Sequence, residues 1–167
     1  MQRYERLFLK EFGRRLPYRG QKYLLGGVGG RKSFFDVCFC VPVDYSDAQI
    51  KAACKRIYCD LARNDLAAKM QEYAVKLKVV PVGFKITGAK TVLGNCSANK
   101  TLSFSWRLIT GDDYVIDYVV VFALAHMIEP KRSPEFWALI ESILPDYKER
   151  QRQLQMLQER IKSEDWI

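Results

Sequence analysis

Histidine is nearly absent from this chain of 167 residues, which contains only His126. A catalytic zinc ion is usually held by about three protein side chains, most often histidines. The sequence therefore predicts that no zinc ion is bound through a cluster of imidazoles. The five cysteines are odd in number and follow no disulfide spacing, which predicts free thiols in a reducing, cytoplasmic setting.

Long apolar runs are also lacking. The longest, at residues 115–128, is interrupted by Asp117 and is shorter than the ~20 residues that a membrane-spanning helix needs. The first ten residues have no apolar core and include Glu5, so no secretory signal and no membrane association are expected. Hydrophobic residues make up 49% of the chain, which excludes wholesale disorder and, at this length, predicts one domain over residues 1–167.

The net charge of +8 is unevenly spread. Residues 1–32 carry nine lysines and arginines against two glutamates, and residues 51–110 carry eleven against three acidic residues. Residues 111–145 are acidic, with six acidic side chains against two basic ones. A basic face of this kind can attract nucleic acid or another acidic partner, and it can equally be a solvated surface. Both interpretations stay open.

Apolar spacing in the first quarter of the chain predicts a helix followed by strands. Residues 3–15 have aromatic and leucine side chains at helical intervals, which predicts an N-terminal helix over residues 1–15. The glycines of residues 26–30 lack the Lys-Ser/Thr ending of a phosphate loop and favour a hairpin turn. Residues 33–42 then read as one strand, with Cys38 and Cys40 on one face as small buried side chains.

Helix-start signals predict where the helices begin in the rest of the sequence. Ser46 and Gln49 form a capping box that opens a long helix, Asp112 or Asp113 caps a second, and Ser133-Pro134 begins a third. The other predicted elements are strands at residues 79–86 and 101–108 and a last amphipathic helix at residues 147–162. This order predicts an α+β fold in which a small, mostly antiparallel sheet packs against a central helix at residues 115–128, with a helical C-terminus.

Three stretches, in this order, resemble the YgjP-like metallopeptidase family, a bacterial group related to the SprT-like and WLM zincins. They are LPYRGQKYLL at residues 16–25, KTVLGNCS with LSFSWRL at residues 90–108, and IDYVVVFALAHMIEPKRSPEFW at residues 116–137 continuing to residue 150. The resemblance spans residues 16–152 and implies a zincin-like domain there, followed by a helical tail at residues 153–167. It also implies that a strand-rich N-terminal part of the family domain precedes the point where this chain begins.

The resemblance implies a zinc site that this sequence does not complete. The family is expected to bind zinc through a helical His-Glu-x-x-His and a third histidine six residues later, because histidines at i and i+4 share a helical face and the glutamate serves as the base. The matching positions here are Phe122 and His126 for the first two ligands, Ala123 for the base and Arg132 for the third ligand. Only His126 is retained, so neither a zinc cofactor nor a catalytic residue is expected.

The family's Arg-Trp-Gly-Ser-Cys-Ser loop is changed as well. It reads Val92-Leu93-Gly94-Asn95-Cys96-Ser97 here, while Trp106 and Arg107 are kept on the next predicted strand. The resemblance implies a vestigial cleft, and the residues predicted to form it are Asn95, Cys96, Ser97, Trp106 and Arg107.

Three functions follow from these observations. The first is a pseudoenzyme: a YgjP-like fold that acts as a binding or regulatory module for an unknown protein or peptide partner. The second is a metal-dependent hydrolase of peptides or nucleotides with an unorthodox site that recruits Asp117, Glu129 or Cys96. The third is a nucleic-acid-binding module that uses the basic face.

Overall fold

The chain folds as an α+β protein, and the computed structural model describes residues 10–28, 33–35 and 38–164. The strands are β1 (Lys10–Tyr18), β2 (Gln21–Val28), β3 (Ser33–Phe35), β4 (Cys38–Pro42), β5 (Phe84–Thr87), β6 (Gly94–Cys96) and β7 (Leu102–Ser105). The helices are α1 (Asp47–Leu77), α2 (Asp113–Ile128), α3 (Pro134–Ile143) and α4 (Tyr147–Ser163), and a short 3₁₀ helix spans Trp106–Thr110.

The strands form two mixed sheets, whereas the sequence predicted one small and mostly antiparallel sheet. The first has the order β1-β2-β4-β3, and the second has the order β5-β7-β6. Each contains one parallel pairing, β2 with β4 and β5 with β7, beside antiparallel neighbours. Strands β3 and β6 each lie at the edge of their sheet. The strand that precedes each of them in the chain therefore lies beside the strand that follows it, and these two strands run parallel: β2 with β4, and β5 with β7.

The predicted N-terminal helix is wrong at residues 10–15, which form part of a strand. Residues 10–15 belong to β1, which pairs with β2, and residues 1–9 of the prediction lie outside the described residues. The hairpin between the strands is made by Arg19 and Gly20, whose φ angles are 47° and 76°. Two successive positive φ angles match the twist of a two-residue hairpin, and the backbone bonds to β2 outweigh the helical spacing of the side chains.

The predicted glycine turn is also displaced. Gly26 and Gly27 lie inside β2 and pair with β4, while residues 29 and 30 lie outside the described residues. The predicted single strand at residues 33–42 is two antiparallel strands, β3 and β4. Cys38 and Cys40 do share one face of β4, where both are buried and their Sγ atoms lie 3.1 Å apart. Burial raises the pKa of Cys40 to about 12, so its thiol is protonated at neutral pH.

The helix-start predictions are confirmed. The Ser46 side chain accepts a hydrogen bond from the backbone N–H of Gln49, and the Gln49 side chain accepts one from the backbone N–H of Ser46. Asp112 caps α2, and Ser133 caps α3 with proline at the first turn. Each cap satisfies an N–H group that has no partner inside its helix. These helix starts are local features, and they set the bounds of the elements that carry the candidate site.

Helix α2 is the centre of the fold, as predicted for residues 115–128. It packs against α1, α3, α4 and β6, and apolar side chains surround it on more than one side. Its buried residues are Val115, Ile116, Tyr118, Val119, Val120, Val121, Ala123, Leu124 and Ala125. In the described part of the chain, no helix has the length and apolar character needed to cross a membrane.

Close packing of β6 on α2 makes Gly94 sensitive to substitution. A Cβ atom at Gly94 would overlap Cγ1 of Val119 and lie 3.1 Å from the ring of Phe104. We expect Gly94→Ala to lower the free energy of unfolding by about 2 kcal/mol through overpacking, measured by urea denaturation. The control is Gly88→Ala, whose Cβ would lie 3.4 Å from its nearest neighbour. Equal stability of both variants would show that β6 can move away from α2.

Candidate functional site

The side chains at the three predicted ligand positions lie together at the C-terminal end of α2. Phe122 and His126 are one helical turn apart, and their ring centroids are separated by 4.8 Å in an edge-to-face arrangement. Arg132 lies in the segment between α2 and α3, and its Cζ atom is 5.0 Å from the centre of the Phe122 ring. This convergence matches the i, i+4 spacing and the turn that follows the helix.

Aromatic rings from α3 complete the surroundings of these positions. The Phe136 ring lies 5.3 Å from Phe122 and stacks on His126 at 4.4 Å. The Trp137 ring lies 6.3 Å from Phe122. The imidazole is therefore held between benzene rings, and aromatic packing of this kind contributes about 0.5–1.5 kcal/mol per pair beyond area burial.

Burial is the main cause of a lowered pKa at His126. The charge of Arg132 lowers the pKa further, whereas hydrogen bonds to the backbone at Glu129 and Pro130 oppose the shift. The imidazole is consequently neutral at pH 7. A neutral imidazole can in principle ligate a metal ion, so the other donors decide whether a metal site can form.

Titration of the single histidine tests this environment. We expect the imidazole of His126 to titrate below about 6.5, its usual value, in a proton NMR titration that contains only one histidine signal. The unfolded chain then takes up the proton at a higher pH than the folded chain. The contribution of His126 to stability is therefore complete above pH 6.5 and is lost as the pH falls below it.

Arg132→Gln should raise the pKa of His126, because it removes the neighbouring cation. A parent pKa at or above the usual value would mean that the imidazole is solvated rather than packed between rings.

The residues at the predicted ligand positions do not fit a zinc ion. Phe122 offers no donor atom, and Arg132 offers a permanent cation. Ala123, at the predicted position of the base, is fully buried and has no ionisable group. Across residues 10–28, 33–35 and 38–164, no three or more His, Cys, Asp or Glu side chains come together in a group that could hold a metal ion.

Asp117, the first of the three substitute donors considered from the sequence, already binds cations of the protein. Its Oδ1 atom lies 2.7 Å from Nζ of Lys69, and its Oδ2 atom lies 3.8 Å from Nη1 of Arg150. All three side chains are at most 20% exposed. This partly buried ion cluster joins α1, α2 and α4, and Asp117 has a structural role in it.

The other two substitutes are also engaged. The carboxylate of Glu129 accepts a hydrogen bond from the backbone N–H of Lys131 at 3.4 Å. The Cys96 thiol donates to the backbone carbonyl of Ser97 at 3.6 Å, and burial raises its pKa. Among the described residues no hydrogen bond joins Cys96 to His126, so a thiolate–imidazole pair of the kind used by cysteine nucleophiles is not formed.

A cleft of about 360 Å³ opens beside Phe122, between residues 91–94, α2, the segment after it, and α4. Its lining includes Phe122, Arg132 and Trp137, and three glutamines of α4, Gln151, Gln155 and Gln158. The amide of Gln158 donates to the carbonyl of Thr91 at 2.7 Å and closes one part of its wall. The cleft combines aromatic surface, amide groups and one cation.

The five residues predicted to form a vestigial cleft lie in two separate places, and none of them lines the cleft beside Phe122. Asn95, Cys96 and Ser97 follow the cleft-lining segment 91–94 without lining the cleft themselves. Trp106 and Arg107 line a different pocket, near β1. They are separated from the first three because β7 ends at Ser105 and the chain turns there into the 3₁₀ helix.

Sequence reasoning missed the glutamines and Trp137 as cleft residues. The glutamines are spaced i, i+4 and i+7 along α4, a signal of one helical face that was visible in the sequence. Trp137 was indistinguishable from a core residue, because a tryptophan in an amphipathic helix is usually buried.

Comparison with known proteins identifies the domain. A sequence model of the YgjP-like metallopeptidase domain matches residues 5–156, so the chain belongs to the YgjP-like family. The match begins before residue 16, where the resemblance was first placed, and therefore includes β1. Its end at residue 156 falls inside α4, as does the predicted boundary after residue 152. Searches of curated proteins and of solved structures gave no significant match.

Proposed function

We propose that this YgjP-like chain is a catalytically inactive binding or regulatory module with a zincin-like fold. The observation that carries the proposal is the packing of the Phe122 ring against His126 and Arg132. A zinc ion bound there would have to displace an aromatic ring and lie close to a guanidinium cation. Both changes oppose binding, and only one imidazole favours it.

The cleft supports binding of a protein segment. Strand β6 is at the edge of its sheet, and Gly94 of β6 lines the cleft. An extended peptide that adds to a sheet edge gains main-chain hydrogen bonds, and neighbouring pockets select its side chains. Arg132 provides a partner for an acidic side chain through charge-assisted hydrogen bonds, so we expect acidic and aromatic residues in the bound segment.

Elemental analysis tests the loss of zinc chemistry. We expect purified, untagged and dialysed protein to contain far less than one zinc ion per chain, because the ligand positions supply a single imidazole. Stoichiometric metal that survives dialysis, together with peptide or nucleotide hydrolysis that a chelator abolishes, would overturn this proposal in favour of the hydrolase alternative.

Peptide selection tests the binding role. Extended peptides selected from a random library on the intact protein should lose affinity about tenfold on Gln155→Glu, which adds an anion to a cleft expected to bind acidic side chains, a change equivalent to ~1.4 kcal/mol. Met156→Glu is the matched control, because Met156 is 63% exposed on the same helix and does not line the cleft. Failure to select any peptide, or equal losses on both variants, would contradict a binding role for the cleft.

A further inference from the structure

A second pocket lies between β1, the 3₁₀ helix and the end of α4, and it shares no lining residue with the cleft. Its volume is about 290 Å³, near the lower end of the range for small-molecule sites. Among the described residues, its charged lining consists of three arginines and one carboxylate: Arg14, Arg15, Arg107 and Glu164. These lining residues carry an excess of positive charge.

Arg107 is the arginine most closely built into this pocket. Its Cζ atom lies 4.3 Å from the centre of the Trp106 ring, and its Nε–H donates to the carbonyl of Gly88 at 3.4 Å. Among the described residues no carboxylate lies within ion-pair distance of it, and Glu164 acts on it only at longer range. A half-buried guanidinium in this situation can still accept a bidentate anionic partner.

The indole N–H of Trp106 gives a second, independent indication that a hydrogen-bond acceptor binds in this pocket. The residue is only 2% exposed, and its indole N–H has no hydrogen-bond partner among the described residues. The Tyr58 ring stacks on it at 5.1 Å, so the ring itself is well packed. Buried N–H groups are nearly always paired, and an unpaired one of this kind indicates that an acceptor belongs there.

The indole N–H of Trp106 lies in the wall of the pocket, next to Gly88. A Cβ atom built on Gly88 would lie 3.4 Å from Nε1 of Trp106, although Gly88 itself is not among the residues that line the pocket. Because Arg107 donates to the carbonyl of the same Gly88, the indole N–H and the guanidinium are adjacent. An oxyanion that enters this wall from the pocket would meet two kinds of donor at once.

We propose that this pocket binds the phosphate group of a small phosphomonoester. A phosphate offers more acceptor oxygens than a carboxylate and carries close to two charges at neutral pH, which suits several cations and an indole donor. Of the described residues that line the pocket, Glu164 is the one whose charge opposes such an anion. The volume favours a small molecule over a polymer.

The indole N–H signals provide a direct test with the full-length protein. The chain has three tryptophans, and Trp106→Phe identifies the Trp106 signal in a ¹H–¹⁵N spectrum. Inorganic phosphate and a nucleoside 5′-monophosphate are added at constant ionic strength, since exposed charges are screened by salt. We expect both to shift the Trp106 signal with saturation, while the signal of Trp137, which lines the cleft instead, moves little.

Two variants of opposite expected effect sharpen the test. Arg107→Gln should weaken binding of the monophosphate about tenfold, and Glu164→Gln should tighten it several-fold, because it removes the opposing carboxylate. Arg63→Gln is the control, since Arg63 is an exposed arginine of α1 outside the pocket. Thermal melts check that each variant is folded.

Several results would overturn the proposal. They are an unmoved Trp106 signal at saturating probe, an equal response to acetate, and equal losses in Arg107→Gln and Arg63→Gln. A short single-stranded oligonucleotide that shifts the signal with steep salt dependence, when the monophosphate does not, would also overturn it and assign the pocket to a nucleic-acid backbone.

Discussion

The double variant Phe122→His, Arg132→His is expected to bind Zn²⁺ at least ~10-fold more tightly than the parent, a gain of only ~1.4 kcal/mol. The side chains at positions 122, 126 and 132 already converge to about 5 Å. The two substitutions would place three imidazoles around one point and remove the guanidinium that repels a cation. Calorimetric titration of both proteins with zinc measures the difference.

The variant leaves Ala123 unchanged for a physical reason. Ala123 is fully buried, and the ionised glutamate of the family motif would have to lose its hydration there unless α2 or its neighbours moved. Activity is therefore not expected to return with zinc binding.

The matched control is Phe122→Leu, Arg132→Leu, which removes the same ring and the same cation without adding imidazoles. It should gain little affinity for zinc. If a folded histidine variant binds zinc no better than this control, positions 122, 126 and 132 cannot share one ion, and the family ligand positions do not transfer to this chain.

Asp117→Ala is expected to lower the free energy of unfolding by about 3 kcal/mol. The substitution leaves Lys69 without the carboxylate that lies 2.7 Å from it, in a place where its side chain is 20% exposed. Removing one partner of a buried ion pair costs about 3–5 kcal/mol, because the remaining charge is uncompensated. We expect a loss at the lower end of this range, because Arg150 still has an ion-pair partner in Asp146, whose Oδ1 atom lies 2.8 Å from it.

Urea denaturation measures this loss, and two further variants interpret it. Lys76→Ala breaks the exposed pair with Glu72, which is about half exposed, and should cost less than about 1 kcal/mol. Lys69→Met combined with Asp117→Leu removes both charges and should recover part of the lost stability. A loss below about 1 kcal/mol in Asp117→Ala would mean that water reaches the cluster and that it does not hold the helices together.

The sequence predicted the helix starts well because the interactions that form them span only three or four residues. Ser46 with Gln49, Asp112, and Ser133 are each followed by the helix that their caps predict. Central burial of α2 was also predictable, since an apolar segment of this length without a polar face can be stable only inside the protein.

Strand pairing was the part that the sequence left undetermined. Helical spacing at residues 10–15 suggested a helix, but these residues bond to β2 through a hairpin that depends on positive φ angles at Arg19 and Gly20. The split into two mixed sheets depends likewise on which strands meet after the chain has folded back. Such contacts join residues far apart in sequence, so local propensity does not determine them.

For the site, the sequence alone determined which side chains stand at the predicted positions: one imidazole, an aromatic ring and a cation at the ligand positions, and an alanine at the position of the base. Only the tertiary structure decided where these groups lie. It brings Arg132 over Phe122, because the segment after α2 folds back on the helix. It also carries Trp106 and Arg107 away from the cleft to a separate pocket, because the 3₁₀ helix turns the chain after β7. Side-chain identity is a property of the chain, whereas distances between its elements are set by packing in the core.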